Sequence, residues 1–138
     1  MEKLNRSELR KIIMTILYQK LIYEKNKIDF TIDNLINDSL SIDNEFVKDS
    51  VYGVITYQTE LDKKINKYLN GWSIDRLGYT DQSILRLGAY ELLYTDTPSI
   101  VSINEAIELS KQYSDESVTK MINATLDKIY HDKENNGK

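Results

Sequence analysis

The sequence predicts an all-α fold. Three observations carry the prediction: only five glycines and one proline in 138 residues, no sustained period-2 alternation, and apolar stripes at three- and four-residue steps along most of the chain. Leu9, Ile12, Ile13, Ile16, Leu17 and Leu21 place one buried face on a first helix. Asn5 and Glu8 have capping-box spacing at its start. A polar stretch around 25–29 closes it, and a short helix follows over about 31–40 with Ile32, Leu35 and Ile36 inward. A long third helix is expected from about 42 to 69 on Phe46, Val47, Val51, Val54, Ile55, Leu61, Ile65 and Leu69, stopped by Asn70-Gly71. Trp72, Ile74 and Leu77 form a turn-like joint. Thr80 is expected to cap a central helix over 81–94 that is apolar on two sides. Asp96-Thr97-Pro98 breaks it, and Ser102 with Glu105 has capping-box spacing for a further helix to about Tyr113. Ser114 or Asp115 caps the last helix, which runs on Val118, Met121, Ile122, Leu126 and Ile129. The result is seven helical elements in one domain, 1–138, made of an N-terminal helical subdomain (about 1–71), a C-terminal one (about 72–132) and a polar tail, 133–138.

Composition removes several classes of chemistry. Without cysteine there is no disulfide, no thiolate metal site and no thiol redox chemistry. The charged start, MEKLNRSELRKIIM, does not read as a signal peptide, and no run reaches the roughly 18 apolar residues of a membrane span, so a cytoplasmic protein is expected. The single histidine, His131, lies near the end of the last helix with no ligand cluster beside it, which makes it a surface residue and leaves no metal site. No histidine is placed to activate a serine or threonine, and no phosphate-cradling glycine loop occurs. Glu105 and Glu108 share a helix face, where the macrodipole explains carboxylates better than acid/base work does. The expectation is a binding adaptor with no catalysis and no cofactor. The net charge of −4 opposes a protein coated in nucleic acid, yet residues 1–27 hold seven basic side chains against three acidic ones. Such an excess suits either an anionic partner or a solvated helix face.

A specific resemblance lies between Leu77 and Ile129. DQSILRLGAYELLY (Asp81 to Tyr94), PSIVSINEAIELSKQY (Pro98 to Tyr113) and KMINATLDKI (Lys120 to Ile129) stand in the order and spacing of the NusB family of bacterial antitermination factors, which the chain resembles. The N-terminal segment matches more loosely, through Arg10 and Leu17-Tyr18. The resemblance implies an all-helical fold of two subdomains. It also implies pairing with NusE, the small-subunit ribosomal protein, to bind single-stranded boxA RNA within an RNA polymerase antitermination complex.

Carried over, the family's RNA surface falls on Arg6, Arg10, Tyr18, Asp81, Lys120 and Met121. These types suit single-stranded RNA, which is held by cations on phosphates, flat groups on bases and polar groups on base edges. Arg86, Tyr90, Glu91, Asn104 and Glu105 belong to the same pattern with a structural role implied. Arg86, in an apolar helix, needs a carboxylate, with Glu91 or Glu105 available, and Asn104 is expected in a first turn, tying the preceding loop. Ser7 and Glu8 stand where an arginine-rich start is usual. Met121, followed by Asn123-Ala124, replaces an aromatic, whose stacking is worth roughly 1–3 kcal/mol per base. Weak RNA affinity without the protein partner is therefore expected. The alternative is a helical adaptor that keeps the protein partner and has lost specific RNA recognition. A third reading, a NusB-like domain attached to a ribosomal RNA methyltransferase, is disfavoured because the chain ends at Lys138 without a catalytic domain.

Overall fold

Helix starts follow the local chemistry. The Asn5 side chain accepts the Glu8 N–H at 2.8 Å while Glu8 accepts the Asn5 N–H at 2.9 Å, the reciprocal cap that opens α1 (Arg6–Lys25). Thr31 caps α2 (Ile32–Ser39) through the Asn34 N–H, and Asn44 caps α3 (Glu45–Thr56) through the Val47 N–H. α4 (Gln58–Lys67), a 3-10 turn at Ile74–Arg76, α5 (Tyr79–Tyr94), α6 (Ser99–Tyr113) and α7 (Glu116–Asn135) complete the computed structural model, which describes residues 4–135 and contains no strand among them. Asp115 opens α7 by accepting the Val118 N–H at 3.1 Å.

Three boundaries differ from the sequence reading. The expected helix over 42–69 is two helices, because Tyr57 leaves helical geometry (φ −102°, ψ 13°) and stacks on Tyr94 with ring centroids 4.0 Å apart and planes 9° from parallel. Val54 and Leu61 are two turns apart, so the stripe stays in phase across the break and periodicity does not reveal it. α5 starts at Tyr79 after Gly78, without a side-chain cap, so Thr80 lies inside its first turn. α6 starts at Ser99 behind Pro98, which places Ser102 and Glu105 within the helix rather than at its cap. Among the described residues the count of seven survives, with the split helix making up the number and the joint reduced to one 3-10 turn. Asn70 and Gly71, at φ of 53° and 91°, reverse the chain ahead of that turn.

α5 is the axis of the molecule, packing against α1, α3, α4, α6 and α7. Its segment from Gln82 to Leu92 is buried throughout, and one continuous apolar cluster gathers Ile13, Ile16, Val51, Val54, Leu61, Ile65, Leu85, Leu92, Leu126 and Ile129 around it. α7 is tied back by Lys133, which donates to the Leu92 carbonyl at 2.7 Å, and by a Lys64–Asp132 pair at 2.9 Å.

Two glycines permit close approach. A Cβ on Gly88 would sit 2.9 Å from a Leu126 methyl, and one on Gly53 would fall 2.3 Å from the Tyr90 ring. The Tyr90 ring is held by Tyr94 at 6.1 Å and by its hydroxyl donating to the Asp49 carbonyl at 3.4 Å, so it has little room to yield. Gly53→Ala is expected to lower stability by about 1–3 kcal/mol in urea denaturation, the usual cost of overpacking. Leu126→Ala, which opens a cavity at a fully buried site, should cost about 2–5 kcal/mol in the same assay.

Candidate nucleic-acid interface

α1 supplies the first candidates, and its period sorts them. Arg10 precedes Ile13 and Met14 by one turn and Leu17 by two, which places it on the buried stripe. Arg10 is 4% exposed, and its guanidinium grips Glu91 with two bonds, Nε to Oε2 at 2.9 Å and Nη2 to Oε1 at 3.1 Å. Glu91 Oε1 also accepts the Ser102 hydroxyl at 3.0 Å, and Glu105 lies 3.7 Å from Arg10 Nη1 while accepting the Ser7 hydroxyl at 2.7 Å. The expected RNA contact at Arg10 is thereby corrected: this arginine binds carboxylates inside the protein and offers no cation to solvent. Among the described residues no buried side-chain nitrogen or oxygen lacks a partner.

Arg6 shares the helix face but stays exposed, its guanidinium lying over the Phe46 ring of α3 at 3.9 Å. On another side of α1, Lys11, Tyr18 and Lys25 recur at seven-residue steps and form one exposed stripe. The Lys11 ammonium lies 5.7 Å from the Tyr113 ring at the end of α6, and the Lys25 ammonium 5.8 Å from the Tyr79 ring at the start of α5. Asp81, in the first turn of α5, accepts the hydroxyl of Ser114, the residue after Tyr113. Tyr18 and Asp81 are thus brought to one edge, and Lys11, Lys25, Tyr79 and Tyr113 join them. The sequence reading missed these four, although the exposed positions 11, 18 and 25 carried the signal. One turn into α7, Lys120 is exposed and pairs loosely with Glu116 at 3.9 Å, whereas Met121 is half-buried against the core.

Near this edge the Asp115 carboxyl is held below its ordinary value of 3.8 by hydrogen bonds from the Ser117 hydroxyl and the Val118 N–H. The depressed value means that the cap is intact above about pH 4 and is lost as pH falls through the folded-state value. Acid titration followed by amide exchange is therefore expected to show α7 fraying first at its N-terminal turn below that pH.

The residues assigned to structure are placed as follows. Arg86 finds its carboxylate in Asp62 of α4, at 2.8 and 3.0 Å, and not in Glu91 or Glu105, while Gln82 accepts a third bond, from Nη1, at 3.1 Å. Glu91 and Glu105 surround Arg10 instead, and Tyr90 covers Gly53. Asn104 lies in the second turn of α6 with its side chain exposed, and it ties no loop. Removing one partner of a buried pair leaves the other charge uncompensated, so Arg10→Ala should cost about 3–5 kcal/mol in chemical denaturation. Arg6→Ala, at an exposed site, should stay within about 0.5–1 kcal/mol of the parent protein.

Among the described residues no group of three or more His, Asp or Glu is placed to hold a metal ion, and no helix is long and apolar enough to cross a membrane. A family model described as NusB family matches residues 7–131. The transcription antitermination protein NusB of Macrococcus caseolyticus is 38% identical over 132 residues, covering 94% of this chain and 99% of that protein. That of Staphylococcus aureus is 40% identical over 130 residues, covering 91% and 98%. Among solved structures, T. maritima NusB superimposes with a TM-score of 0.80 at 32% identity, over 94% of this chain and 93% of that one. A NusB chain from a complex of the antitermination factors NusB and NusE with double-stranded RNA does so with 0.77 at 27% identity, over 92% and 96%. With that agreement across nearly its whole length, the chain belongs to the NusB family.

Proposed function

We propose that the chain is a non-enzymatic, RNA-binding transcription antitermination factor that pairs with the NusE-type ribosomal protein on boxA RNA and acts in the cytoplasm within the RNA polymerase antitermination complex. The observation that carries the reading is the stripe of Lys11, Tyr18 and Lys25, closed at its ends by Tyr113 and Tyr79. Ammonium groups alternating with the exposed rings of Tyr18 and Tyr113 and the half-buried ring of Tyr79 supply the two things single-stranded RNA requires, charge for phosphates and flat surfaces for bases. Relatives that span almost the whole chain carry the antitermination name, and one neighbouring structure holds NusB with NusE and RNA.

Within this reading Arg6, Lys11, Lys25 and Lys120 contact phosphates. Tyr18 stacks on a base, Asp81 accepts from an exposed base edge, and Met121 forms an apolar floor beside Lys120. A second reading, an adaptor that has lost specific RNA recognition, is favoured by one observation: Arg10, expected among the cations, is spent inside the fold.

Fluorescence anisotropy with a boxA-type RNA oligonucleotide separates the two. The pair with NusE should bind more tightly than this chain alone, with log K falling linearly as log salt rises. Lys11→Ala, Lys25→Ala and Lys120→Ala combined should flatten that slope by roughly 2, about 0.7 for each lost single-strand phosphate contact. An unchanged slope and affinity in the triple variant favours the adaptor, and no RNA binding by the pair at low salt overturns the antitermination reading.

A further inference from the structure

Arg6 stands in acidic surroundings. Two clefts meet at it, one of about 950 Å3 lined by Leu4, Ile42, Asp43 and Glu45, the other of about 660 Å3 lined by Glu45, Asp49 and Asp96, with Arg6 and Phe46 common to both. Of the four carboxylates in these walls, Asp43, Glu45 and Asp49 come from residues 28–62, a segment that holds eight carboxylates against one ammonium, Lys48. An exposed arginine among so many carboxylates ordinarily pairs with one, as Lys48 does with Asp43 at 3.9 Å. Arg6 pairs with none of them. Its guanidinium lies instead 3.9 Å over the Phe46 ring.

Phe46 is able to hold it there because Phe46 is itself held. It is the second residue of α3, two past the Asn44 cap and beside Val47, which is fully buried, and its ring is half-buried against the core. Arg6 is fixed from the other side as the first residue of α1, next to the Asn5–Glu8 capping box. An aromatic face attracts a cation without neutralising its charge, so stacking restricts the side chain and leaves its N–H groups available for phosphate oxygens.

We infer that Phe46 is a positioning residue for RNA binding: its ring keeps the Arg6 guanidinium clear of the carboxylates that line the same clefts and presents it to an RNA phosphate. The inference rests on the function proposed above. Phe46 itself touches no RNA and acts through Arg6.

A double-mutant cycle on the complete chain paired with NusE tests it, with boxA-type RNA as probe and Arg6→Ala, Phe46→Leu, the double variant and Phe46→Tyr as samples. Arg6→Ala and Phe46→Leu should each weaken binding about fivefold and lower the salt slope by about 0.7. The double variant should be no weaker than Arg6→Ala alone, and Phe46→Tyr should bind like the parent protein. Loss of Phe46 acting through general damage to the fold would multiply with loss of Arg6, so a double variant about 25-fold weaker overturns the inference, as does parental affinity in Phe46→Leu. Failure of the parent pair to bind RNA removes the proposed function and this inference with it. Failure confined to the Phe46 variants leaves the function standing.

Discussion

The buried pair of Arg10 and Glu91 is the constraint around which the other contacts are arranged. Two full charges removed from water are tolerable only when every donor and acceptor finds a partner. Here the partners come from three helices: α1 brings Arg10, α5 brings Glu91, and α6 brings Ser102 and Glu105. Satisfying the pair fixes α1 and α6 against the axial helix in register as well as distance, which apolar packing alone would leave looser. Ser7 to Glu105 extends the same network to the first turn of α1, so the surface that carries Arg6 is anchored by the interior network. A second pair, Arg86 with Asp62, does for α4 what the first does for α1.

The sequence exposed the helices and concealed several of their uses. Apolar periodicity and the Asn5–Glu8 cap located α1 because both signals are local. The break at Tyr57 was hidden because Val54 and Leu61 keep phase across it, and its cause, stacking on Tyr94, joins residues far apart in the chain. Ser102 and Glu105 show how one spacing serves two purposes. Three residues apart on a helix they share a face whether they close a cap or reach for Arg10, and only the tertiary fold decides between the two. The depth of Arg10 was legible from its phase with Leu17. The identity of its partners, some eighty and ninety-five positions away, was not.

At the candidate interface the legible part was residue type, and the illegible part was assembly. Tyr18 and Asp81 emerge from distant segments onto one edge, and the Lys25–Tyr79 contact beside them, with Arg10 on Glu91 at the other end, needs α1 antiparallel to α5. A cation's value for RNA binding also depends on what else competes for it. Arg10 is consumed by carboxylates, Lys120 lies loosely beside one, and Arg6 escapes several through a ring. Three basic residues that look alike in a sequence therefore offer three different amounts of usable charge.

The uneven placement of acids has a kinetic consequence. With eight carboxylates against one lysine over residues 28–62 and seven basic side chains against three acidic ones over residues 1–27, the free protein is a permanent electric dipole. A polyanion entering within about one Debye length, roughly 8 Å at physiological ionic strength, exerts a torque on it and turns the lysine stripe forward before contact. Encounters would then begin already oriented, which raises the fraction of collisions that lead to binding without adding any contact to the final complex.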